Sequence, residues 1–71
     1  MKTKVKRHKA DDFERGVVFA AQYLWQFRDC QVEPFEILDQ IRAAEIVTRS
    51  IDVADRPVLN AYLRDRRERS R

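Results

Sequence analysis

Residues 12–28, DFERGVVFAAQYLWQFR, decide the fold. Phe13, Val17, Ala20, Leu24 and Phe27 recur at spacings of four, three, four and three, the a/d stripe of an amphipathic helix. Val18, Ala21 and Trp25 lie on a neighbouring face, with Phe19 and Tyr23 beyond them. Arg15, Gln22, Gln26 and Arg28 are the clearly polar positions after the first turn. A helix apolar over most of its circumference has to be covered from more than one side. Just before it, Asp11 and Glu14 have the spacing of a capping box, in which each carboxylate accepts a backbone N–H of the other residue's peptide.

Downstream, the pattern breaks over residues 29–33, and Pro34 suits a first turn, where its missing N–H has no intrahelical partner. A second helix is expected over 34–47, with Phe35, Leu38, Ile41 and Ala44 inward, Ile37 beside them, and Glu45 paired with Arg49. Residues 48–55 form a connector whose Ile51 and Val53 are expected to plug the core. Pro57 sets the start of a third helix over 56–68, capped at Asp55 or entered through Arg56, with Val58, Leu59, Tyr62 and Leu63 as its apolar stripe. Upstream, residues 1–10 lack apolar periodicity and are expected to be a flexible, disordered basic arm. The expected fold is therefore all-α: a small three-helix domain over 11–71 behind that arm.

Composition agrees. Seventy-one residues make one domain, 38% of them charged, with one glycine and two prolines, too little turn chemistry for an all-β fold. A chain of this size buries only about 60% of its unfolded surface, and Cys30, the single cysteine, cannot close an internal disulfide. Together with the apolar first helix this points to a homodimer, whose interface is expected at Val18, Phe19, Tyr23 and Trp25, rimmed by Arg15, Gln22 and Gln26.

The net charge of +3 is unevenly spread: +5 over residues 1–9, −2 over 10–29, −4 over 30–55 and +4 over 56–71. Basic ends around an acidic middle suit contact with nucleic acid or an acidic protein surface. On the third helix Arg56, Asn60, Arg64, Arg67 and Arg71 share one face, able to meet phosphates and one base edge, and Lys4, Lys6, Arg7 and Lys9 can follow a backbone electrostatically. Asp65 and Glu68 interrupt that face, and Arg64–Glu68 and Asp65–Arg69 pairs at i, i+4 would make it a solvated helix end instead.

Catalytic chemistry finds little to work with. His8 and Cys30 are too few for a structural zinc site or a nucleophilic pair, no phosphate-cradling glycine loop exists, and the acidic pairs are accounted for by helix capping and dipole roles. No enzyme activity, cofactor or metal is expected. The basic start runs straight into Asp11 and Asp12, unlike a secretory signal, and the longest uncharged run falls short of a membrane span, so a cytoplasmic location with no membrane association is expected.

The run FERGVVFAAQYLWQFRD, then PFEILDQIRAA and DRPVLNAYL, spanning residues 13 to 63, resembles small accessory reading frames of phages and prophages of enteric bacteria. What the resemblance implies is a small protein that binds a host macromolecule, a protein or protein complex before a nucleic acid, to block or redirect it. The alternative is a DNA- or RNA-binding regulator using the arm and the third helix.

Overall fold

The computed structural model describes residues 7–27 and 32–69. It is all-α: α1 (Asp12–Phe27), α2 (Val32–Gln40) and α3 (Arg56–Arg69), with three single 3-10 turns, Ala43–Glu45, Thr48–Ser50 and Val53–Asp55, between α2 and α3. Among the described residues no helix is long and apolar enough to cross a membrane.

The start of α1 follows from the capping box. The Glu14 N–H donates to Asp11 Oδ1 at 2.7 Å and the Asp11 N–H to Glu14 Oε1 at 3.0 Å, so two of the N–H groups around the helix start find acceptors. His8 Nε2 sits 2.9 Å from the other Glu14 oxygen, tying the preceding segment to the same carboxylate. Replacing Asp11 by alanine should cost about 1 kcal/mol of stability, read as a lower urea midpoint with an unchanged slope.

The flexible arm expected over residues 1–10 does not hold for its last four residues. Residues 1–6 lie outside the described residues, but residues 7–10 are docked. His8 and Ile46 form a parallel bridge in which the His8 N–H donates to Glu45 O at 2.9 Å and the Val47 N–H to His8 O at 2.8 Å. Ala10 is buried, and its N–H donates to Ser50 Oγ at 2.9 Å. A stretch without periodicity is held here by backbone hydrogen bonds, which need no apolar pattern.

α1 packs against both other helices. Its core face is Val18 and Ala21, both fully buried, with Trp25 packed partly against them, and not the stripe through Phe13, Ala20 and Phe27, which faces outward. The deciding residue is Gln22. It is buried, and its Oε1 accepts the Val58 N–H at 2.8 Å in the first turn of α3, where intrahelical carbonyls are lacking. Its amide nitrogen donates to Gln26 Oε1 at 3.1 Å. Gln22 is thus a cap for another helix and not the rim of an interface.

α2 ends seven residues earlier than expected, at Gln40 instead of residue 47. Arg42 adopts φ 53° and ψ 52°, the left-handed region, and turns the chain into the 3-10 turn Ala43–Glu45. Glycine normally takes this place, and with none here the sequence carried no stop signal. Ile46 follows with φ −92° and ψ 135°, which breaks the helical register on which a Glu45–Arg49 pair depended. In the connector Ile51 is buried as expected, whereas Val53 is 68% exposed because it opens the 3-10 turn that leads into α3.

α3 begins at Arg56 with Pro57 in its first turn and buries Val58, Leu59 and Tyr62. The Tyr62 ring meets Phe35 of α2 edge-on at 5.8 Å, and its hydroxyl donates to the Asp39 carboxylate. Arg66 Nη1 reaches the same Asp39 oxygen at 3.3 Å and its guanidinium lies 5.7 Å from the Tyr62 ring centre, so one acid ties α2 to two residues of α3.

Candidate functional site

With Val18, Ala21 and Gln22 turned inward, the opposite face of α1 is left uncovered. Phe13, Gly16, Ala20, Tyr23 and Phe27 follow one another at spacings of three, four, three and four, and every one of them is exposed. This is the heptad seam of a helix pair, with Phe19 flanking it. The rings are open to solvent over most of their surface: Phe13 is 72% exposed, Phe27 65%, Phe19 60% and Tyr23 55%. Four large apolar side chains exposed together on one face are the informative departure from an ordinary surface. Tyr23 and Phe27 lean on each other at 4.9 Å between ring centres. Gly16 lies in open space, with nothing within 4 Å of where a Cβ would stand. A floor of glycine and alanine walled by aromatic rings is the relief that admits a second helix closely.

The interface residues read from the sequence divide. Phe19 and Tyr23 are on this outer face, Val18 is sealed in the chain's own core, and Trp25 is half-buried against it. Phe13, Ala20 and Phe27, which the sequence places in the a/d stripe, belong to this face together with Gly16. Two stripes of helical spacing run along α1, and the inward one is marked by contacts distant in sequence, among them Val58, thirty-six residues from Gln22.

The basic residues divide as well. Asn60, Arg64 and Arg67 are exposed along α3. Arg56 is instead a clip: its Nε donates to Ile51 O at 2.9 Å and its Nη2 to Arg49 O at 3.2 Å, bracing the connector against the start of α3. Of the two i, i+4 pairs, Arg69–Asp65 forms at 2.7 Å. Arg7 and Lys9 are exposed beside the bridge, while Lys4, Lys6 and Arg71 lie outside the described residues, as does Cys30. Lys9 meets Arg15 and Arg49 around an open pocket of about 360 Å³, a convergence of three segments with no local signature.

Other polar clusters serve the fold. Burial, then the hydrogen bond to Asp39, pushes the Tyr62 hydroxyl up to about 12 from 10.0. Burial and then the neighbouring charge of Asp52 raise Asp55 above the usual carboxylate range. An open groove of about 310 Å³ between α2 and α3 is lined by Val32, Phe35, Glu36, Asp39, Asp65 and Arg69, and its Asp65 and Asp39 are both engaged within the chain. Among the described residues no three His, Cys, Asp or Glu side chains gather as metal ligands would.

Comparison with known protein families, with curated proteins and with solved structures gives no match for this chain.

Proposed function

We propose that this is a non-catalytic accessory protein of the phage type, acting in the cytoplasm by docking a host protein on the outer face of α1 to inhibit or redirect it. In the absence of that target, a second copy of the chain covers the face. The observation that carries the reading is the exposure of Phe13, Phe19, Tyr23 and Phe27 on one side of a helix whose other side is already packed.

Area and shape support a second copy as the resting occupant. At roughly 200 Å² per aromatic side chain, rings more than half exposed amount to about 500 Å² per copy, or about 1,000 Å² across a pair, the lower bound for a specific interface. The N-terminal half of the seam is open at Gly16 and the C-terminal half is bulky at Tyr23 and Phe27. Across a two-fold axis normal to the helices, an antiparallel pair sets Tyr23 and Phe27 of each copy against the Gly16 half of the other.

Light scattering should give about twice the 8.5 kDa of one chain, and Tyr23→Asp should return a single-chain mass with the helical circular dichroism intact. A monomer at high concentration removes the second copy from the reading. Target capture from host lysate, compared between Tyr23→Ala and an Arg64→Ala/Arg67→Ala pair, then tests the docking. Loss in the tyrosine variant supports it, and loss confined to the arginine variant replaces it with nucleic-acid binding through α3, for which the exposed Asn60, Arg64 and Arg67 speak.

A further inference from the structure

We propose that Lys9, Arg15 and Arg49 form a binding site for the phosphodiester backbone of a nucleic acid, separate from both the α1 face and the α3 arginines. The three cations come from three parts of the chain: the docked N-terminal segment, the first turns of α1 and the 3-10 turn Thr48–Ser50. They line one open pocket of about 360 Å³ with Val47 and Ser50. Gathering like charges is unfavourable in the free protein. Among the described residues no carboxylate forms an ion pair with Lys9 or Arg49. Glu14 is committed to His8 and to the Asp11 N–H, Asp11 to the Glu14 N–H, and Asp12 reaches Arg15 only at 3.7 Å through a fully exposed carboxylate.

The backbone carrying these cations is braced. The Ala10 N–H is held by Ser50 Oγ, that hydroxyl donates to Val47 O at 2.6 Å, the Val47 N–H is held by His8 O, and the Arg56 guanidinium holds Arg49 O. Lys9 and Arg49 are therefore presented from fixed positions, with only their side chains to order when an anion arrives. Guanidinium forks are the groups that match phosphate oxygens in pairs.

Two features make the ligand a chain of phosphates and not one. The pocket is open, so it grips from one side. Arg7, exposed two residues before Lys9, extends the positive run beyond what a single phosphate could use. The uncharged lining adds no free group to read a base: Ser50 both donates and accepts within the chain, and Val47 is apolar. Binding is accordingly indifferent to sequence.

The test is anisotropy of fluorescent 20-mers, two unrelated single strands and their duplexes, titrated with the full chain at several salt concentrations, with inorganic phosphate titrated separately. The expected result is binding of unrelated sequences with similar affinity, weakening steeply with salt. Arg15→Gln/Arg49→Gln should weaken it at least tenfold and make the log–log salt slope shallower by about 1.5, whereas Arg64→Gln/Arg67→Gln should leave both close to the parent values. All four side chains are exposed, and circular dichroism checks that each variant keeps its helices. No binding at 50 mM salt, an equal loss in the α3 variant, or a strong preference for one sequence would overturn the proposal. So would inorganic phosphate binding as tightly as the 20-mers. Docking at α1 is read separately, by target capture with Tyr23→Ala.

Discussion

Gln22→Leu should lower the thermal midpoint by about 10 °C, more than any other exchange of one polar side chain on α1. Leucine fills similar space, so little packing is lost, but the Val58 N–H then has no acceptor in a place closed to water. A buried donor left unpaired costs about 1–3 kcal/mol, a large share of what a domain of this size has in reserve. Gln26→Leu is the matched control. It removes only the exposed partner of the Gln22 amide and should stay within about 0.5 kcal/mol. Should the two variants melt together, the Gln22 cap is not what orients α3 on α1.

Raising the pH from 9 to 12 should remove about 2 kcal/mol of stability through Tyr62 alone. Its hydroxyl is raised from 10.0 to about 12 by burial and by the Asp39 carboxylate that accepts its hydrogen bond. The folded state thus favours the neutral phenol more than the unfolded chain does. That preference is fully present below pH 10 and is lost as the pH climbs towards and through the folded value, at up to about 1.4 kcal/mol for each pH unit. Urea midpoints of the parent and Tyr62→Phe across this window settle it. The phenylalanine variant should start lower, having lost the hydroxyl, and then fall less. Parallel curves would show that the Tyr62–Asp39 contact does not control alkaline unfolding.

What could be read from the sequence was what depends on neighbours in the chain. Asp11 and Glu14 are three residues apart, and both of their reciprocal bonds form. Pro57 restricts its own surroundings, and α3 begins where that restriction placed it, at Arg56. The misreadings all involve partners distant in sequence or a conformation the residue type disfavours. Gln22 looked like a solvent-facing glutamine because Val58 is remote. Arg42 in the left-handed region stops α2 without a glycine to announce it. For the site, Phe19 and Tyr23 are legible as interface anchors, whereas Phe13 and Phe27 read as members of the a/d stripe, because a seam of three-four spacing and its neighbour of four-three spacing share Phe13, Ala20 and Phe27.

The bridge between His8 and Ile46 has a bearing on the order in which the molecule assembles. α1 carries its own cap and can form from local contacts, but the segment before it finds its acceptors only after the connector has been synthesised, with Ala10 and Ser50 forty residues apart. Closing so long a loop is entropically unfavourable until the helices have already brought its ends together. The latch is therefore translated before its acceptors and is the last part to fasten. The three cations that meet around Lys9 come together only at that final step, so the charged pocket is itself a mark of the completed fold.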